Sequence, residues 1–274
     1  METVLYLIAL GVLGLLFGSF ANVVIWRFPR GESIVTPGSH CPGCGHSIRW
    51  YDNVPVLSWI ALKGRCRDCS IAIPIRYPLV EALNAVLWVM AGLLYGWSGR
   101  TAAAVILFYL LLILSAIDLD TMRLPNPLVG MLAALGAAGV AITAFSGYAV
   151  APLIDGTGAL SSPVLFAVLG SLAASGASLG IALAYRGVRG KAGFGMGDVK
   201  LLAALGPYLG LYTLGVLFLG SALGACWGIY GALVGKKDFA TKFPFGPFLA
   251  AAAIIVAAVG QDVWTWYVTL LGVR

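Results

Sequence analysis

Charge is what this chain has least of. Charged side chains make up 10% of its 274 residues, histidine occurs twice and cysteine five times. A soluble domain carries about 25% charged residues, so this fraction in a chain that is 60% hydrophobic excludes a water-soluble globular protein. Sustained apolar/polar alternation is missing as well, which excludes a membrane β-barrel. The first apolar run is preceded by no Lys or Arg and ends without a small-residue cleavage pattern. It is therefore expected to stay as a span rather than leave as a signal peptide. What the chain does have is apolar runs of roughly 20 residues, each long enough to cross a hydrocarbon core about 30 Å thick as a helix. They fall at residues 4–26, 78–97, 101–117, 127–145, 164–185, 199–234 and 246–264. The run 199–234 is too long for one span, and Gly206, Pro207 and Gly210 predict a break into a short helix and a full one. The expectation is an all-α polytopic membrane protein with about eight transmembrane helices and the lipid bilayer as its main partner.

The net charge of +6 points to topology rather than to nucleic acid. With the loop after the first run in the cytoplasm, 15 of the 17 Lys and Arg fall on one side, leaving only Arg100 and Arg274 outside. This positive-inside bias orients the N-terminus outward.

Residues 28–77 form the one polar stretch that resembles a small folded domain, and they hold both histidines and four of the cysteines. Cys41-Pro-Gly-Cys44 and Cys66-Arg-Asp-Cys69 are spaced like the two knuckles of a zinc ribbon, each supplying two thiolates to one tetrahedral ion. A metal would fold a loop that has too few apolar residues for a core. The rival reading is a thiol-disulfide oxidoreductase, but such a pair should face an oxidising compartment, and this loop lies on the basic, reducing side. His40 and His46 bracket the first knuckle and are expected at the surface once four thiolates complete the shell. Cys226 lies in an apolar run and reads as a small buried residue.

Four acids, Glu81, Asp118, Asp120 and Asp198, sit at the edges of apolar runs, where a carboxylate is costly unless it faces protein or water. Asp118 closes the run 101–117 and Asp198 opens the run from 199, both on the cytoplasmic side. Two carboxylates from different helices thus reach one depth, where they can share a proton and act as base and acid on a water attacking a peptide bond. Asp120 is two residues, about 200° of helical turn, from Asp118 and cannot point the same way. Asp118, set deeper in the apolar run, is the expected partner of Asp198. Around Asp198, Gly193, Gly195 and Gly197 alternate, which permits an extended or bent backbone open to a substrate strand. Lys200 reads as a topology charge that snorkels to the interface. An ion transporter with a zinc-stabilised loop is the non-enzymatic alternative, but it calls for acids near the bilayer midplane, and these lie at one face.

These residues resemble a known family. Asp118-Leu-Asp120-Thr-Met-Arg-Leu124-Pro125-Asn126 and Gly195-Met-Gly197-Asp198-Val-Lys200 are similar to the two signatures of bacterial type IV prepilin peptidases, intramembrane aspartic proteases of the Gly-x-Gly-Asp class. The segment from Gly18-Ser19-Phe20 to Arg27-Phe-Pro29, the two knuckles with Asn53-Val-Pro55 and Leu57-Ser58-Trp59 between them, and Arg76-Tyr77-Pro78-Leu-Val-Glu81 resemble its cytoplasmic part. Pro244-Phe-Gly246-Pro247-Phe248 is family-like too. Ala21, and Ile71-Ala-Ile-Pro74 ahead of Arg76, depart from the usual pattern without touching the acids.

The resemblance implies cleavage of the basic leader of type IV prepilins or pseudopilins, for pili or protein secretion, after a Gly at the cytoplasmic face of the inner membrane. It gives Asp118 and Asp198 the catalytic roles, Gly195 and Gly197 a supporting one, and the four cysteines zinc. It also implies N-methylation of the new N-terminal residue from S-adenosylmethionine, although no glycine-rich nucleotide fingerprint marks a methyl-donor site. The expected organisation is a first span at 1–26, a cytoplasmic zinc-binding, methyltransferase-associated domain at 27–77, and a transmembrane protease core at 78–274.

Overall fold

A computed structural model describes residues 1–157, 160–190, 194–234 and 243–270, without the Arg189 side chain. Gly193, the basic loop 236–242 and Arg274 lie outside the described residues. Nine α-helices carry the fold among those described: α1 (Glu2–Arg27), α2 (Leu57–Ala61), α3 (Arg76–Tyr95), α4 (Gly99–Thr121), α5 (Asn126–Ser146), α6 (Pro163–Arg189), α7 (Met196–Leu209), α8 (Thr213–Leu233) and α9 (Gly246–Leu270). No strand occurs among the described residues beyond two isolated bridges, His40 with Ser47 and Arg65 with Ala72. Seven stretches are long and apolar enough to cross a membrane, one of them the 38-residue Met196–Leu233 that contains both α7 and α8. This is a multi-pass membrane protein.

The break in that stretch falls at Gly210, whose φ of +53° is left-handed, and a 3₁₀ turn over Gly210–Tyr212 leads into α8. Gly206 and Pro207, expected within the break, instead lie inside α7. Pro207 sits in the final turn of that helix, where it forgoes the bond that an N–H would make to the Ala203 carbonyl.

The chain divides into two compact units, Met1–Trp97 and Ser98–Arg274. In the first, α1 packs along α3 through glycines. A Cβ at Gly14 would lie 2.7 Å from the Ala85 Cα, and one at Gly18 2.7 Å from the Glu81 Cα. Small residues four apart allow this backbone approach, as in membrane helix pairs generally. Asn84, fully buried, donates to the Gly14 carbonyl at 2.7 Å. At the end of α1 the buried Arg27 guanidinium donates to the carbonyls of Ser33, Pro37 and Gly38, at 3.1, 2.7 and 3.2 Å, and so ties the polar loop to the helix that leads into it.

In the second unit α7 is the enclosed helix, packed by α5 and α6. Its Tyr208 hydroxyl donates to the Leu132 carbonyl of α5 at 3.1 Å. A Cβ at Gly206 would lie 2.4 Å from the Ser171 backbone N of α6, so only glycine lets these helices meet. Cys226, expected to be buried, faces outward from α8, where an apolar thiol suits lipid.

Candidate active site and metal centre

The two cysteine knuckles are built alike. Cys41 and Cys66 each accept from the amide four residues on, Gly45 and Ser70, at 2.8 and 2.9 Å. Each of these cysteines also donates its own N–H across the turn, to His46 O and Ile71 O, at 2.9 Å. The residue after each second cysteine is left-handed, Gly45 at φ +71° and Ser70 at φ +60°. The turns bring one sulfur each from Cys41, Cys44, Cys66 and Cys69 within 4.8 Å of one another. The Cys41 and Cys69 sulfurs are 3.7 Å apart, close to the roughly 3.8 Å edge of a tetrahedron with Zn–S bonds of about 2.3 Å. The donor set therefore fits zinc, and one four-sulfur cluster replaces the two separate pairs that dithiol exchange would use. Backbone N–H groups of Cys44 and Gly43 draw the Cys41 thiol down to about 6. The Ile71 N–H acts likewise on Cys69, but desolvation and the three neighbouring sulfurs push that thiol up to about 12. A first negative charge is accommodated and further ones are resisted, which is the electrostatic imbalance a dication corrects. Both His40 and His46 are exposed beside the cluster.

Two further contacts brace this loop. Arg67 makes a bidentate pair with Asp52, its Nε 2.8 Å from Oδ2 and its NH2 2.6 Å from Oδ1, which holds Asp52 below the usual carboxylate range. Glu81, at the start of α3, accepts the Val56 N–H at 2.7 Å. Val56 is β-branched yet stands at φ +60°, so this buried carboxylate fixes a costly backbone conformation in the segment between the knuckles. Asn22 donates to the Tyr77 carbonyl at 3.1 Å and is likewise structural.

The acids assemble in the second unit. Helix α4 continues to Thr121, so Asp118 and Asp120 point apart: Asp118 is 5% exposed, and Asp120 is open. Asp118 accepts the Gly246 N–H from the head of α9, at 2.9 Å. Asp198 lies in the first turn of α7 with its Oδ2 against the Gly195 backbone, close enough to Asp118 for the two charges to act on each other. Gly195 is extended, at φ −73° and ψ 134°, as the glycine pattern predicted. Gly197 is not extended but helical, and its missing side chain makes room for Leu124, whose Cβ would stand 3.2 Å from a Cβ there. Lys200, read as a snorkelling charge, donates to the Asn126 Oδ1 at 2.9 Å and so links the heads of α7 and α5. The role of Gly246 was hidden in the sequence: Pro244-Phe-Gly246-Pro247 signalled a family, not a donor to an acid 128 residues away.

Helices that bring two acids near each other at their ends, with a four-cysteine loop on the same chain, define a polytopic membrane protein. Residues 12–95 match the bacterial peptidase A24 N-terminal domain and residues 105–229 the type IV leader peptidase family. The chain is 36% identical to a prepilin leader peptidase/N-methyltransferase of Aeromonas salmonicida, over 97% of this chain and 95% of the relative. It is 34% identical to one of Neisseria gonorrhoeae, over 94% and 93%. It is also 38% identical to a type 4 prepilin-like proteins leader peptide-processing enzyme of Escherichia coli, over 88% and 89%. No solved structure matches. The chain belongs to the type IV leader peptidase family.

Proposed function

We propose that this protein is a bifunctional prepilin leader peptidase and N-methyltransferase in which Asp118 and Asp198 cleave the leader. The reading rests on one observation above all: two carboxyls from α4 and α7 lie at helix ends close enough for their charges to act on each other, Asp118 on the Gly246 N–H. One carboxylate takes a proton from water as its oxygen attacks the scissile carbonyl, and the protonated partner donates to the carbonyl oxygen. Collapse of the tetrahedral carbon breaks the C–N bond, and the proton first taken from water passes to the departing amine. Gly195, extended and exposed ahead of Asp198, leaves space for a substrate strand.

As methyl donor, S-adenosylmethionine would supply an electrophilic methyl group to the freed amine, leaving as S-adenosylhomocysteine while the amine gives up a proton. Zinc on Cys41, Cys44, Cys66 and Cys69 organises the segment 27–77, and the protease core lies within 78–274. The substrates are type IV prepilins or pseudopilins, with the apolar segment in the bilayer and the basic leader in the cytoplasm. The protein sits in the bacterial inner membrane with its N-terminus out and its acids at the cytoplasmic face, as the positive-inside bias of the sequence supports.

Single Asp118→Asn, Asp120→Asn and Asp198→Asn variants, assayed for cleavage of a prepilin, test the assignment. Loss of about 10²- to 10⁴-fold is expected for Asp118 and Asp198 and little change for Asp120. Full cleavage by either of the first two variants would remove that residue from the mechanism.

A further inference from the structure

Each acid is set against a glycine. Asp118 accepts the N–H of Gly246, the first residue of α9, and Asp198 has its Oδ2 against Gly195, the residue that caps α7. Each glycine follows a phenylalanine, and the rings of Phe194 and Phe245 meet edge to face, their centroids 5.3 Å apart and their planes at 68°. A Cβ at Gly246 would lie 2.8 Å from the Asp118 Oδ2, and one at Gly195 2.6 Å from the Asp198 Oδ2. Both carboxyls thus occupy space that any side chain on these glycines would take. At the head of α9, Pro247 has no N–H, and Phe248 and Leu249 both donate to the Phe245 carbonyl, at 3.1 and 3.2 Å. That leaves the Gly246 amide as the donor of this first turn directed at an acid.

We propose that Phe194-Gly195 and Phe245-Gly246 are paired positioning residues for leader cleavage. The Gly246 amide fixes Asp118, the Gly195 backbone bounds Asp198, and the contact between the two rings joins the two glycines into a single frame that sets the separation of the acids. The proposal rests on the reading of Asp118 and Asp198 as the catalytic pair. The sequence positions are far apart, and neither phenylalanine touches the reacting atoms; both act through the glycines next to them.

The test uses the full-length enzyme in lipid nanodiscs with a purified prepilin. Phe194→Leu and Phe245→Leu each lower kcat by up to about tenfold, the range of an aromatic pair converted to rate, while KM stays within about twofold. Because the rings act as one joint, the double variant is no slower than the worse single one. Phe245→Tyr keeps the ring and retains kcat. Gly246→Ala, which displaces the Asp118 carboxyl, lowers kcat by about 10- to 100-fold, as expected for a lost bond to a charged group. Unchanged kcat in both leucine variants, effects that simply multiply, or a change confined to KM would overturn the proposal. The asparagine variants of Asp118 and Asp198 separate this outcome from failure of the underlying reading. If either still cleaves, the catalytic pair itself is wrong. If both are inactive while the leucine variants keep kcat, only the joint is wrong.

Discussion

Gly45 and Ser70 fill the same place in the two knuckles, and both are left-handed. Glycine adopts this conformation freely, whereas a residue with a Cβ is strained there by about 1 kcal/mol or more. No heavy atom lies within 4 Å of where a Cβ on Gly45 would stand, so the penalty is in the backbone alone. Gly45→Ala is therefore expected to weaken zinc binding by about fivefold, while Ser70→Gly leaves it unchanged or tighter; competition against a chromogenic chelator measures both. The Asp52–Arg67 pair carries a pH dependence. Arg67 lowers the folded-state pKa of Asp52, so the contribution is complete above about pH 4, the unfolded value, and fades as pH falls through the lowered folded value. Arg67 is open to solvent, which keeps the pair's contribution small. Arg67→Ala should lower the unfolding midpoint slightly at pH 7 and no longer do so near pH 2. At this scale the cysteines were legible because ligand spacing is local, a few residues within each knuckle. The Gly246 donor and the Glu81 hold on Val56 were not, since each joins residues far apart in sequence by a contact that only the packed helices create.

Among the elements, helix positions followed from apolar length alone, because a span needs enough residues rather than a particular periodicity. The burial of Asp118 rather than Asp120 also followed from the sequence, since Asp118 lies deeper in the apolar run and an acid two residues on along a continuing helix must face a different way. The position of the break between α7 and α8 was less accessible. Gly206, Pro207 and Gly210 are all helix breakers in isolation, but tight packing on α6 keeps Gly206 helical, and only Gly210 takes the left-handed conformation. The α1–α3 pair shows the same tertiary control. Gly18 could have been any apolar residue by hydropathy, yet its Cα abuts the backbone at Glu81, the residue that holds the loop segment at Val56. Gly18→Val should force the helices apart, at about 1–3 kcal/mol for an overpacked contact. It should also raise the protease sensitivity of residues 50–60 in the folded protein. Gly11→Val is the control, because a Cβ there meets only the Val89 side chain, at 3.4 Å.

For the molecule as a whole, the partition of chemistry follows the partition of contacts. The four cysteines of the cluster belong to the unit Met1–Trp97, while Asp118, Asp198, Gly195 and Gly246 belong to Ser98–Arg274. Most of the loop has little buried apolar surface of its own: Ile48, Trp50, Leu57, Ile60 and Ile71 are exposed, and Cys41 is the one buried member of the cluster. Its order is thus expected to depend on a metal, whereas the acid-bearing helices are held by the apolar packing of α4 to α9. Removing zinc with a chelator should therefore act on one unit alone. Amides of residues 39–73 are expected to lose hydrogen-exchange protection by several orders of magnitude, as in small metal-folded modules. Those of α4 and α7 should keep theirs, and leader cleavage should continue at near its original kcat. A parallel loss of protection in both regions, or of cleavage together with the metal, would mean that the zinc loop supports the acids and that the two units work as one.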